Sequence, residues 1–183
     1  MISLIINADD LGCNALRDRG ILEAYQQGIV TSASILANGS SFNMAIEQVK
    51  CSRLPVGVHL NLADGRALTG QIKGLTDNSG NFPGKKELRR HLTADSFNPE
   101  DIHKEFRTQI QHILKAGVQP DHLDGHQHCQ LFPCLTTLVT ELALEYGIPA
   151  MRSALPTDIS LEIPSDPLGK ELALYRHLGH RAK

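Results

Sequence analysis

Short apolar runs alternate along the chain with segments whose apolar residues recur every three or four positions. The apolar runs predict strands at Ile2–Ala8, Thr31–Leu36, Val56–Leu62, Asp121–Leu123 and Ile148–Arg152. The longer segments predict helices at Asn14–Gln27, Phe42–Lys50, Pro99–Ala116 and Pro133–Tyr146. Alternating strands and helices predict an α/β fold with a parallel sheet, either open or curled into a barrel.

The length of the chain limits how complete such a barrel can be. The chain has 183 residues, whereas a full (β/α)₈ barrel takes about 250. We expect a single domain over residues 1–183, and unpaired strand edges would favour a homodimer. Residues 63–84 predict a long loop of the kind that is often functional. After Arg152 prolines interrupt the pattern, and only Leu168–Leu178 could be helical.

Composition and charge indicate which kinds of partner the protein can bind and in which cellular compartment it is expected. Lys and Arg total 18 against 20 Asp and Glu, a net charge of −2, so the basic excess that nucleic-acid binding requires is missing. The apolar runs fall short of the roughly 18 residues that span a bilayer. The chain opens on a predicted strand instead of a signal peptide, which predicts a cytoplasmic protein. Its 4 cysteines have no CxxC spacing and are expected to be reduced.

Candidate chemistry is concentrated at the ends of three predicted strands. The clusters are Asn7–Gly12, Gly57–Leu62 and His122–His128. The carboxyl ends of parallel strands lie at one edge of the sheet, where active sites collect, so these clusters are expected to meet.

The first two clusters are ambiguous when each is taken alone. Asp9 and Asp10 repel each other unless a cation or a shared proton relieves them, so one could bind a metal while the other handles protons. Alternatively, one of them caps the helix that follows. His59 lies in an apolar strand, where a histidine is more often a hydrogen-bonded core residue than a ligand.

The third cluster favours a metal. On an extended backbone His126 and His128 share a face with Asp124, and this spacing is typical of metal ligands. One aspartate and two or three histidines leave coordination positions open, as in catalytic sites. Imidazole suits Zn²⁺, Fe²⁺ or Ni²⁺, while the carboxylate also accepts Mg²⁺ or Mn²⁺.

Four ordered motifs resemble those of a known family. Asn-Ala-Asp-Asp-Leu-Gly at 7–12, Gly-Ile-Leu-Glu-Ala with Gly-Ile-Val-Thr-Ser at 20–32, Gly-Val-His-Leu-Asn-Leu at 57–62 and His-Leu-Asp-Gly-His-Gln-His at 122–128 are similar to the motifs of the YdjC-like carbohydrate deacetylases, the family of chitooligosaccharide deacetylase. The resemblance covers about residues 1–155, and the tail 156–183 is atypical.

The resemblance implies a metal-dependent hydrolase on a modified (β/α) barrel, here incomplete at its C-terminus. Such an enzyme removes the acetyl group from N-acetylglucosamine units of small oligosaccharides such as diacetylchitobiose. By resemblance Asp10, His59 and His126 hold one divalent ion, Mg²⁺ or Zn²⁺, and Asp9 is the general base. Four further residues are expected to contact substrate or to support the ligands: His128, Asp124, Arg152 and Asn61.

One departure from the family pattern leaves an alternative open. Family members carry a later His-Pro motif, and this sequence contains no His-Pro dipeptide. The acid that protonates the departing amine therefore stays unassigned. A truncated metal-binding relative without activity, acting as a subunit or regulator, is the alternative. A phosphoesterase with the same ligands is weaker, because no glycine-rich phosphate loop is evident.

Overall fold

The computed structural model describes residues 4–94 and 97–153. Within these ranges the chain forms four strands and five α-helices, with two helices between the third and fourth strands and one 3₁₀ segment before the last helix. In chain order they are β1 Asn7–Leu11, α1 Ala15–Gln27, β2 Ser32–Ile35, α2 Phe42–Ser52, β3 Val56–Leu60, α3 Lys85–Ala94, α4 Pro99–Lys115, β4 Leu123–Gly125, the 3₁₀ segment His126–Leu131 and α5 Pro133–Glu145.

The strands form one parallel sheet in the order β1-β2-β3-β4. Each strand pairs with the next one in sequence, so the order never reverses as it does in doubly wound sheets. Unreversed order with helical crossovers is the arrangement of a (β/α) barrel sector. The predicted α/β class and partial barrel-like fold are confirmed.

The first strand begins later than its hydrophobicity suggests. Residues 4–6 of the predicted strand Ile2–Ala8 are irregular, and the strand runs from Asn7 to Leu11. Leu4 and Ile5 are 74% and 77% exposed, so this apolar run lacks the burial that usually makes such a run a strand. As a result Asp9 and Asp10 lie within β1 instead of after it.

Two other predicted strands near the C-terminal end also shift. The prediction Asp121–Leu123 becomes β4 at Leu123–Gly125. The prediction Ile148–Arg152 is reduced to one parallel bridge, Leu123↔Met151, with Leu123 N donating to Ala150 O and Arg152 N to Leu123 O, both at 2.9 Å. The bridge extends the sheet beyond β4, so the direction of the chain was predicted correctly although the length of the strand was not.

The four predicted helices match the observed α1, α2, α4 and α5 to within two residues at each end, and α1 and α4 begin at an asparagine whose side chain caps the helix. Asn14 caps α1 by accepting a hydrogen bond from Arg17 N at 3.0 Å, and the helix stops before Gly28. Asn98 caps α4 through Glu100 N, with Pro99 at the first position. The predicted segment Leu168–Leu178 lies outside the described residues.

The core lies between the sheet and its helices. β2 and β3 are buried throughout, and α4, which packs against β3, contributes Ile102, Phe106, Ile110 and Ile113, each fully buried. None of the helices in the described ranges combines the length and apolar character needed to cross a membrane. None of the four cysteines, all of which lie in the described ranges, forms a disulfide.

Candidate metal and catalytic site

A bulge in β1 sets the direction of its two aspartates. The register between β1 and β2 shifts between Ala8 and Leu11, and Asp10 adopts a left-handed backbone with φ 68°. Aspartate is one of the few residues that tolerate this conformation. Bulges re-aim side chains near functional sites, and here the bulge allows Asp9 and Asp10 to line the same cavity.

The parallel register places His59 beside Asp124. The two residues are direct partners across β3 and β4, so their side chains leave the same face of the sheet. His59 Nδ1 lies 2.7 Å from Asp124 Oδ1 in a hydrogen bond. Asp124 is fully buried and also accepts a hydrogen bond from Ser34 Oγ at 2.7 Å.

His126 and His128 do not extend the strand as predicted. The chain turns into the 3₁₀ segment at His126, and Gln127 and His128 both have positive φ, 55° and 56°. The premise of an extended His-x-His pair is therefore wrong, because the backbone between the two rings is left-handed. His128 nevertheless lines the same cavity as His126.

The three predicted ligands lie together. One potential ligand atom from each of Asp10, His59 and His126 lies within 4.8 Å of the others. His59 Nε2 is 3.2 Å and His126 Nδ1 is 2.7 Å from the same oxygen, Asp10 Oδ1. Neither contact is an aligned hydrogen bond, and this buried oxygen has no hydrogen-bond partner in the described part of the chain.

This chemistry fits a divalent cation. Two imidazole nitrogens and one carboxylate oxygen converge on one point, and a divalent cation there would be bound by all three atoms once it displaces any ring protons. The second oxygen of Asp10 pairs with Arg17 Nη1. Two histidines and one carboxylate leave coordination positions for water or substrate, which is the pattern of catalytic metal sites.

The pKa values of the site residues reflect this close approach of charged groups. Burial would raise the pKa of Asp10, but the rings of His126 and His59 outweigh it and hold that pKa well below its usual range. Burial opposes a charge on His59, yet Asp10 and Asp124 raise its pKa to about 9. The pKa of His126 is also raised, by Asp10 and Asp64 against burial.

Arg152 joins the other aspartate to this cluster. Its guanidinium makes a two-pronged ion pair with Asp9, at 2.7 and 2.6 Å, and lies 2.9 Å from Asp124 Oδ2. Burial would raise the pKa of Asp9, but Arg152 outweighs it and the pKa falls below its usual value. Asp9 is therefore ionised at neutral pH.

The cavity above these side chains has a volume of about 220 Å³. Its lining includes Asp9, Asp10, the two ligand histidines, His128 and Lys85. Burial and then Arg152 lower the pKa of His128, which leaves its ring neutral at neutral pH. Pockets that enclose whole small ligands usually start near 300 Å³, so this cavity has room for a small group or for one end of a larger ligand.

Asn61 turns away from the cavity. It is 2% exposed, and its side-chain oxygen accepts hydrogen bonds from the backbone N–H groups of Ala63 and Asp64 at 2.8 and 3.1 Å. Its amide nitrogen donates to Asp64 O at 2.8 Å and Asn38 Oδ1 at 3.0 Å. Asn61 thus shapes the loop after β3.

Sequence reasoning missed several side chains around the site, including Asn7, Arg17, Ser34, Asp64 and Lys85. Asn7 and Ser34 carried a usable signal, because polar residues inside buried strands need partners. Asn7 Nδ2 in fact donates to both Asp9 Oδ1 and Ser34 Oγ at 2.8 Å. Lys85 lies in the first turn of α3 and lines the cavity.

Fold and site together define a barrel-type α/β protein with a possible metal centre at the carboxyl ends of its strands. The profile of the family described as YdjC-like protein matches residues 3–180. The chain belongs to this family, which confirms the resemblance in its motifs.

Named relatives carry a description of activity. The chain is 40% identical over 147 residues to a carbohydrate deacetylase of Clostridium beijerinckii, covering 80% of this chain and 58% of that protein. It is 32% identical over 170 residues to a carbohydrate deacetylase of Homo sapiens, covering 88% of this chain and 53% of the relative. The chain thus spans a little over half the length of these two relatives.

A solved structure shares the fold. It belongs to a protein of Enterococcus faecalis V583 described as a candidate cellobiose-phosphate cleavage protein. The match has a TM-score of 0.72 and 29% identity, and it covers 95% of this chain and 64% of the other.

Proposed function

We propose that this chain is a metal-dependent carbohydrate N-deacetylase that releases acetate from N-acetylglucosamine units of small oligosaccharides. The observation that carries the proposal is the convergence of Asp10, His59 and His126 within 4.8 Å, next to an ionised aspartate in the same cavity. The relatives named carbohydrate deacetylase support the substrate class.

Asp10, His59 and His126 would hold one divalent ion, Mg²⁺ or Zn²⁺. When bound, such an ion supplies Lewis-acid polarisation of the acetyl carbonyl and of water. Asp124 fixes His59 by accepting its Nδ1–H at 2.7 Å, so that Nε2 faces Asp10. Metal-ligating histidines are commonly oriented by a carboxylate in this way.

Asp9 would act as the general base. It lines the cavity, it is 38% exposed in its side chain, and Arg152 keeps it ionised and fixed in orientation. A carboxylate held in this way can take the proton of an attacking water. His128, neutral and facing the cavity, is suited to hydrogen-bond the amide of the substrate.

The test is acetate release from N,N′-diacetylchitobiose by the chelated protein before and after adding back Mg²⁺ or Zn²⁺. We expect turnover only with metal, and we expect Asp9→Asn to keep the metal and lose activity by about 10² to 10⁴, the usual contribution of a general base. A phosphorylated disaccharide belongs in the panel because of the name given to the solved relative.

Two outcomes would redirect the proposal. Metal binding with no turnover on any acetylated sugar would favour an inactive relative that serves as a subunit or regulator. Activity that survives complete removal of metal would refute the metal-dependent mechanism.

A further inference from the structure

Asp64 contacts the ring nitrogen of His126 that does not face Asp10. Asp64 Oδ2 lies 2.7 Å from His126 Nε2 in an aligned hydrogen bond, while Nδ1 of the same ring lies 2.7 Å from Asp10 Oδ1 without such alignment. We propose that Asp64 is a positioning residue that fixes the tautomer and orientation of His126, so that Nδ1 is presented to the cation. This inference rests on the proposed metal site.

His59 is arranged in the same way as His126, but with the roles of its two ring nitrogens exchanged. His59 uses Nδ1 for an aligned hydrogen bond to Asp124 and turns Nε2 toward Asp10. Each imidazole therefore has one nitrogen held by a carboxylate and the other directed at Asp10 Oδ1. A carboxylate that accepts the outer N–H of a ligating histidine fixes the ring and makes the inner nitrogen more basic.

Asp64 is held in place by its backbone, although its side chain is 60% exposed. Asn61 accepts a hydrogen bond from Asp64 N at 3.1 Å and donates one to Asp64 O at 2.8 Å. Asn38 Nδ2 donates a further hydrogen bond to Asp64 O at 3.0 Å. With its peptide groups fixed from both sides, Asp64 loses less conformational entropy on meeting His126 than a carboxylate on a free loop would.

The loop is anchored in turn to the core. Gln109 of α4, fully buried, accepts a hydrogen bond from Asn61 N at 2.9 Å and donates one to Asn61 O at 2.7 Å. Glu105, one turn earlier and also buried, accepts hydrogen bonds from the backbone N–H groups of Leu68 and Thr69 at 3.0 and 2.8 Å. The helix thus holds both ends of the loop segment that carries Asp64.

The test measures Zn²⁺ affinity by competition with a chromophoric chelator for wild type, Asp64→Asn and Asp64→Ala. We expect Asp64→Ala to lower the affinity by about 10 to 100-fold, the usual effect of removing an outer partner of a ligating histidine. The affinity of Asp64→Asn should lie between those of the wild type and Asp64→Ala. In the zinc-loaded wild type we also expect a slowly exchanging Nε2–H resonance of His126 in ¹H–¹⁵N spectra, which Asp64→Ala should lose.

A matched control is available at the opposite end of β4. Asp121 is a half-exposed aspartate whose Oδ1 lies 2.6 Å from His122 Nδ1, the same kind of pair outside the proposed ligand set. Asp121→Asn should leave both the affinity and the His126 resonance unchanged.

The outcomes separate this inference from the function on which it rests. Failure of the wild type to bind Zn²⁺ would overturn the metal site and this inference together. Wild-type binding with an unchanged affinity in Asp64→Ala would overturn only the role of Asp64, and so would an unchanged His126 Nε2–H resonance. An equal loss of affinity in Asp121→Asn would also count against a specific role.

Discussion

Replacing Asp124 by Asn should weaken both the fold and the proposed metal site. The carboxylate is fully buried and contacts His59, Ser34 and Arg152 at 2.7, 2.7 and 2.9 Å. Asn keeps the shape and one acceptor oxygen but removes the charge, and so leaves the partly buried guanidinium of Arg152 with one carboxylate fewer.

The magnitude follows from the type of interaction. Removing one partner of a fully buried ion pair costs about 3–5 kcal/mol. Because Arg152 is partly exposed and keeps its pairing with Asp9, we expect a cost no higher than the lower end of that range, about 3 kcal/mol. That is a large share of a typical total stability of about 5–15 kcal/mol. Freeing His59 should also lower metal affinity about 10 to 100-fold, equivalent to about 1.4–2.7 kcal/mol.

The assay combines urea denaturation of the metal-free protein with the chelator competition. Leu142→Ala is the control, because this fully buried residue of α5 should cost a similar amount, about 2–5 kcal/mol, through cavity formation without touching the site. Asp124→Asn should lose both stability and affinity, and Leu142→Ala stability alone. The reasoning fails if Asp124→Asn unfolds at the wild-type urea concentration, or if both variants lose the same affinity.

Three further predictions address the site and its support. His126→Ala should abolish metal retention after dialysis while circular dichroism stays close to wild type, and full metal content in the variant would refute its role as a ligand. In chelated protein, the melting temperature should fall as pH rises from about 6.5 to about 9. Protonated His59 stabilises the fold fully at a pH below the pKa of His59 in the unfolded chain, and this contribution is lost as the pH rises through the higher pKa of His59 in the folded protein. A flat profile across that window would contradict the ion pairing with Asp10. Gly57→Ala should destabilise by about 1–3 kcal/mol, since the added Cβ would lie 2.4 Å from the His122 ring, and adding His122→Ala should recover part of the loss in urea titrations.

The helices and the site ligands were predictable for different reasons. Helix bounds follow local rules, and Asn14 at the start of α1 is an example of a cap that works independently of the rest of the fold. His59 and His126 could be brought together only through topology, because each belongs to the end of a strand in one parallel sheet. The prediction needed no side-chain detail, since parallel strands expose their carboxyl ends on one side.

Features that depend on register or on loop conformation could not be predicted. Hydrophobicity predicts a strand at Ile2–Ala8, but Leu4 and Ile5 are exposed and strand pairing begins at Asn7. An apolar run alone does not specify which of its residues pair with the neighbouring strand and become buried. The contact of Asp64 with His126 depends on a loop folded by Asn61, and nothing in the local sequence gives that path. The left-handed backbone at His128 likewise overrides the alternation expected for a strand.

The left-handed conformation of Asp10 restricts which substitutions at this position could give a protein that still folds but no longer binds the metal. A substitution that removes the carboxylate must also accept φ 68°, which β-branched and bulky side chains resist, whereas Asn and Gly adopt it readily. Inactive paralogues that keep the fold are therefore expected to carry Asn or Gly at position 10. For the same reason Asp10→Asn is a better choice than Asp10→Val when a folded, metal-deficient protein is wanted for trapping a substrate in crystals.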